Sequence, residues 1–151
     1  MNRAQFEEYV GHFNNKRYDA LVSYFCPDVT VEFFTPFSDP KVPAKTLHGA
    51  QEFVANYKRL HESMIEVLEL RDFLAAGNLM AVELYTEFHC LKDYRELISG
   101  PVKEGDAVIM TNWVIYNMDA NDKMKRIRIA HFRMHDPKEA KFAPRRQYPS
   151  S

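Results

Sequence analysis

A chain of 151 residues with 46% hydrophobic and 27% charged side chains suits a single globular domain. Its 20 basic and 21 acidic residues leave a formal net charge of −1, which provides no whole-domain attraction for nucleic acid or for an anionic membrane surface. No apolar run approaches the ~20 residues that span a bilayer, and the polar, acidic residues 1–8 do not read as a secretory or mitochondrial leader. Cys26 and Cys90 stand far apart without a CxxC pair, so the chain reads as cytoplasmic with two reduced core thiols; a structural disulfide is the minority alternative.

The first element is a helix. Phe6, Tyr9, Val10 and Phe13 fall on one stripe at the 3.6-residue period, and Asn2 with Gln5 has the spacing of a capping box. After the break at residues 14–17, a short second helix begins near Asp19 with Leu21, Tyr24 and Phe25 on one side, and Pro27 is expected to stop it. Residues 29–35 are β-branched and aromatic and read as a strand; residues 36–43 hold three prolines and read as a loop. A third helix over about 48–61 buries Phe53, Val54, Tyr57 and Leu60.

From Ile65 the period changes to that of long strands. Residues 65–75 and 79–91 form a hairpin around Ala76-Gly77-Asn78, and residues 106–118 and 123–134 form a second around Ala120-Asn121-Asp122. A polar stretch, 92–104, separates them. The expected architecture is α+β: three N-terminal helices packed on a curved, mostly antiparallel sheet, a cone with an internal cavity. The domain runs over 1–136, and 137–151 reads as a flexible basic C-terminal tail carrying Lys138, Lys141, Arg145 and Arg146 against Glu139.

Over residues 3–135 the chain resembles the SnoaL-like branch of the nuclear transport factor-like superfamily. The resemblance rests on the order of elements and on four stretches: residues 13–21 (FNNKRYDAL), 24–29 (YFCPDV), 47–53 (LHGAQEF) and 123–129 (KMKRIRI). It implies a pocket inside the cone and a homodimer packed through the outer sheet face. Enzymes of the superfamily include polyketide cyclases, ketosteroid isomerase, scytalone dehydratase and limonene-epoxide hydrolase; other members only bind proteins or small molecules. Where such enzymes place a basic Asp at the end of the first strand, this chain has Thr35. The Arg and two Asp of the epoxide-hydrolase arrangement would fall on Leu84, Thr86 and Ile129, none of which ionises.

Strand parity then selects the candidate site, because residues two apart share a face. Met80, Val82, Leu84, Thr86, Phe88 and Cys90 make one apolar face of the middle strand; Met110, Asn112, Val114 and Tyr116 join it from the next. On the last strand Ile127, Ile129, His131 and Arg133 share a face, which aims His131 into the cavity, and His135 is expected on the side of His131. The catalytic candidates are His131, as acid/base, with Asn112 and Tyr116 as hydrogen-bond donors. Tyr9, Tyr57, Thr35, Thr86, Phe53 and Phe88 are expected to contact substrate. Each also has a structural role open to it, as a packed ring or a satisfied polar core residue. The opposite face of the middle strand, Glu83, Tyr85, Glu87 and His89, reads as a solvated or dimer-facing surface, with Trp113 and Ile115 beside it.

No residue set has the spacing of a metal site, and nucleotide-binding and serine-hydrolase motifs are missing. The activity that the SnoaL-like resemblance implies, with His131 as the candidate base, is cofactor-independent proton transfer next to a carbonyl, of cyclase, isomerase or dehydratase type, on a hydrophobic cyclic or polyketide-like substrate. The alternative is a non-catalytic module of the same fold that holds an apolar ligand or a protein partner.

Overall fold

The computed structural model describes residues 1–37, 39 and 41–142. Helix α1 (Arg3–Asn14) starts at the expected capping box: the Asn2 side chain accepts from the Gln5 amide at 2.9 Å, and the Gln5 side chain accepts from the Asn2 amide at 2.8 Å. Its stripe Phe6, Tyr9, Val10 and Phe13 is buried. Helix α2 (Tyr18–Val22) follows, then strands β1 (Phe25–Phe34) and β2 (Lys45–His48), helix α3 (Gly49–Ser63), and strands β3 (Met64–Ala76), β4 (Leu79–Cys90), β5 (Ala107–Met118) and β6 (Met124–His135). A short 3-10 turn, Pro137–Glu139, is the last element among the described residues. The six strands form one curved sheet in the order β2-β1-β6-β5-β4-β3, antiparallel throughout except for the parallel pair β1–β6.

Three boundaries differ from the sequence expectation. Tyr24 and Phe25 lie outside α2, and Pro27 sits inside β1. It does so where β1 and β6 are out of register, between Phe25 and Thr30, and before β2 joins at Thr30, so the ladder needs no amide from it. β2 lies beyond the 36–43 loop, in residues to which the sequence reading gave no element before the third helix. It leads through Gly49, at φ +87°, straight into α3; a Cβ on Gly49 would lie 3.3 Å from the Pro27 carbonyl oxygen.

Two of the sheet's register slips bear on the two faces. The β3–β4 register slips at Arg71, and the β5–β6 register slips at Phe132. Each extra residue lands on an aromatic ring of the outer face: the Arg71 guanidinium lies 4.7 Å from the Tyr85 ring centre, and Phe132 stacks on Trp113 at 3.8 Å and 14°. The second bulge corrects the parity of β6. His131 remains paired with Asn112 on the inner face, but Arg133 pairs with Thr111, and His135 bonds to the Thr111 hydroxyl at 2.7 Å. Arg133 and His135 therefore belong to the outer face, away from His131.

α1 and α3 lie across the concave side. Phe6, fully buried, meets Tyr9, Phe73 and Tyr116 with ring centres 5.4–6.0 Å apart and closes one end of the cone. Cys26 and Cys90 are both buried and unpaired in separate surroundings, Cys26 donating to Asp119 at 3.0 Å and Cys90 to the Lys92 carbonyl at 2.9 Å. Since Phe6 holds α1 to β3 and β5 together, Phe6→Ala is expected to lower unfolding free energy by about 3–5 kcal/mol, measured by urea denaturation; a loss below about 1 kcal/mol would show that the helix is held elsewhere.

Candidate functional site

The helices cover the sheet without filling the space beneath them. A cavity of about 370 Å³ remains, and its wall includes Tyr9, Phe53 and Tyr57 from the helices, Thr35 just past the end of β1, and Thr86, Phe88, Asn112, Tyr116 and His131 from the sheet. All nine residues singled out in the sequence thus line one space. Their distribution within it is uneven. Asn112 and His131 are direct partners across β5 and β6, which puts their Cβ atoms about 4.5–5.5 Å apart. Tyr116 is four residues further along β5, about 13 Å away, packed edge-on against Phe6 and opposite Ile127. The structure brings Asn112 to His131 and leaves Tyr116 with the tyrosines of the closed end.

Among the described residues, two polar atoms of this wall have no partner. Nδ1 of His131 and Oγ1 of Thr86 are buried without a hydrogen bond. Such groups are rare in folded proteins and mark places where a ligand or water completes the structure. Burial also lowers the His131 pKa from its ordinary value, which favours a neutral imidazole at pH 7. Tyr9, Tyr57 and Tyr116 move the other way. Burial, reinforced by the Glu66 carboxylate for Tyr9 and Tyr57 and by the neighbouring phenols, pushes all three well above the ordinary range, so they serve as hydrogen-bond donors and not as bases.

Sequence reasoning missed three contributors. Glu66, on the inner face of β3, lines the cavity and pairs through Oε1 with His61 Nε2 at 3.0 Å. Lys45, from the unforeseen β2, bonds to the Asn56 side chain on α3, and burial lowers its pKa. The polar stretch between β4 and β5 is no mere spacer: Tyr94 bridges to Val102, Leu97 is buried in the core, and Glu96 pairs with Arg59 of α3. Tyr94, Glu96, Leu97 and Ile98 thereby cover one side of the cavity.

The outer cluster also differs from expectation. Glu83 and Trp113 bond to each other at 2.8 Å near solvent, but Tyr85, Glu87 and His89 are buried, Glu87 completely. The Glu87 carboxylate accepts from the Tyr85 hydroxyl at 2.6 Å, is paired with His89 Nε2 at 2.8 Å, and accepts from the amides of Lys141 and Phe142 at 2.7 and 3.2 Å. The chain beyond β6 thus returns across the sheet as far as Phe142. The rest of the expected flexible tail, 143–151, lies outside the described residues.

Among the described residues no three His, Cys, Asp or Glu side chains gather as a metal site, and no helix is long and apolar enough to cross a membrane.

Residues 6–127 match the SnoaL-like domain family. A SnoaL-like polyketide cyclase from Agrobacterium tumefaciens superposes with a TM-score of 0.63 at 15% identity, over 84% of this chain and 87% of that one. SalBIII, an epoxide hydrolase/cyclase-like enzyme with a role in pyran ring formation in the polyether salinomycin, gives 0.62 at 16% identity over 84% and 87%. An LEH-like epoxide hydrolase from M. tuberculosis gives 0.61 at 12% identity over 84% and 79%. At these identities the likeness is one of fold. Among curated proteins, none matches the sequence significantly.

Burial alone would raise the Glu87 carboxyl, but the hydrogen bonds from Tyr85, Lys141, His89 and Phe142 outweigh it and hold its pKa below the ordinary value. A carboxyl depressed in the folded state stabilises above its unfolded value, near ~4.3, and the contribution is lost as pH falls through the lower, folded value. Amide hydrogen exchange at Lys141 and Phe142, corrected for intrinsic rates, should therefore quicken in that acid window, and at pH 7 in Glu87→Gln by about tenfold or more; unchanged exchange in E87Q would mean that the segment is held by other contacts.

Proposed function

Because the chain belongs to the SnoaL-like domain family, we propose that it is a cofactor-independent enzyme that moves a proton beside a carbonyl of a hydrophobic cyclic or polyketide-like compound. The observation that carries this reading is the unpartnered, buried Nδ1 of His131 on the cavity wall, directly across from Asn112. A neutral imidazole nitrogen accepts the proton of a carbon next to a carbonyl; the bonding pair moves to the carbonyl oxygen, and the Asn112 amide donates to the enolate that forms. The imidazolium then returns the proton to a different carbon in an isomerisation, or to a departing hydroxide in a dehydration. If the enolate carbon instead attacks a second carbonyl, the proton goes to the new alkoxide and a ring closes.

The open cavity supports an enzyme over a closed-packed module: Phe34 and Phe53 line the space instead of plugging it, and Phe6 is confined to the closed end. Tyr9, Tyr57, Thr35, Thr86, Phe53 and Phe88 are the substrate contacts in this reading. Trp113 and Phe132, stacked and about half exposed on the outer face, support a homodimer through that face. Two buried free thiols suit a reducing cytoplasm.

The test is α-deuteration of 2-tetralone in heavy water, followed by proton NMR. Wild-type protein should accelerate exchange, and His131→Ala should reduce the acceleration by roughly 100-fold or more. The rate should rise with pH as the imidazolium loses its proton, and level off below the ordinary histidine value of about 6.5, since burial lowers the pKa of His131. An H131A protein as active as wild type would remove His131 from the mechanism.

A further inference from the structure

Three charged side chains border the cavity, Lys45, Glu66 and Glu96, and the proton-transfer reading uses none of them; Lys45 is bonded to Asn56 and Glu96 to Arg59, which leaves Glu66. Glu66 lies on the inner face of β3, opposite Phe88, with its side chain 6% exposed. Behind it stands a relay: Tyr18 Oη lies 2.6 Å from His61 Nδ1, and His61 Nε2 lies 3.0 Å from Glu66 Oε1. A neutral imidazole has one N–H and one lone pair. Both contacts are satisfied when Tyr18 donates to Nδ1 and Nε2–H donates to the carboxylate. Burial, and then the Glu66 charge, pushes the Tyr18 hydroxyl up to about 12, so it keeps the proton it donates. The relay holds Oε1. The second oxygen, Oε2, accepts no hydrogen bond from the described residues, although Glu66 forms part of the cavity wall.

A desolvated carboxylate with one unmatched oxygen needs a donor. Tyr9 and Tyr57, whose hydroxyls feel the Glu66 charge, stay protonated, and neither hydroxyl has a hydrogen bond among the described residues. They need an acceptor. A hydroxyl meets both needs, donating to Glu66 and accepting from a tyrosine, whereas an ammonium group has no lone pair to offer. The planar rings of Phe13 and Phe88 on the same wall favour a flat, aromatic or enolic framework around that hydroxyl. Along the sheet Glu66 and His131 are three strands and four residues apart, roughly 14 by 13 Å before curvature. A compound that reaches both is longer than one ring.

We propose that Glu66, positioned by His61 and Tyr18, is an anchor for a phenolic or enolic hydroxyl, and that the natural ligands are fused-ring compounds bearing such a group at the end remote from His131. This rests on the reading of the cavity as a small-molecule site, but not on catalysis by His131.

The test titrates the protein at pH 7 with 2-naphthol, 2-methoxynaphthalene and 2-naphthylmethylammonium, followed by ligand fluorescence. Wild-type protein should bind 2-naphthol about tenfold or more tightly than either of the others. Glu66→Gln should retain the affinity for 2-methoxynaphthalene, which reports an intact cavity, and bring the two neutral ligands within about twofold of each other. Equal affinities in the wild type, a preference that survives E66Q, or a tighter ammonium complex would each overturn the anchor while leaving the cavity as a binding site. Failure of all three compounds to bind would overturn the small-molecule reading, and the anchor with it.

Discussion

The fold is governed by one demand: a single curved sheet must have its concave face covered, and among the described residues only α1 and α3 are long enough to do it. A sheet whose strands reach 13 residues presents more inner surface than two helices can pack against. The Phe6 cluster satisfies the closed end with interlocking rings. Beyond it, packing gives way to a space that Leu97 and its loop cover from the side. The cavity is what remains when coverage and filling cannot both be met.

The bulges decide which chemistry enters that space. With strict alternation, Arg133 would follow His131 inward and place a cation near the imidazole, opposing its protonation. The slip at Phe132 turns Arg133 and His135 outward and leaves His131 beside the neutral Asn112. At Arg71 the slip does the same for β3: Asp72, which strict alternation would place inward after Leu70, pairs instead with Glu83 on the outer face, while Phe73 joins Glu66, Leu68 and Leu70 within. The interior thus keeps an imidazole and a carboxylate on separate walls.

Much of this was legible in the sequence, because it is periodic. The α1 stripe, the α3 face and the inner rows of β4 and β5 follow from spacing alone, and those rows carry Thr86, Phe88, Asn112 and Tyr116. What escaped lacks a local signal. β1 and β6 pair in parallel across about a hundred residues, and nothing in either strand announces it. Pro27 looked like a helix stop because its tolerance inside a strand depends on an irregular register with a distant partner. Glu66 stands among Ile65, Val67 and Leu68, so apolar residues flank it on both faces and parity cannot be read; His61 resembles any basic residue in a last helical turn. The burial of Glu87 depends on amides 54 and 55 residues away. In each case the deciding contact is remote in the chain.

The stacked pair at the second bulge has an optical consequence. Trp113 is the one tryptophan of the sequence, and its indole is on the convex side, sandwiched against Phe132 and bonded to Glu83. Its emission therefore registers the kink that orients His131 rather than the contents of the cavity. A quiet tryptophan signal during ligand addition would mean an undisturbed kink, and a changing one would mean that occupancy on the concave side has been transmitted through the thickness of the sheet.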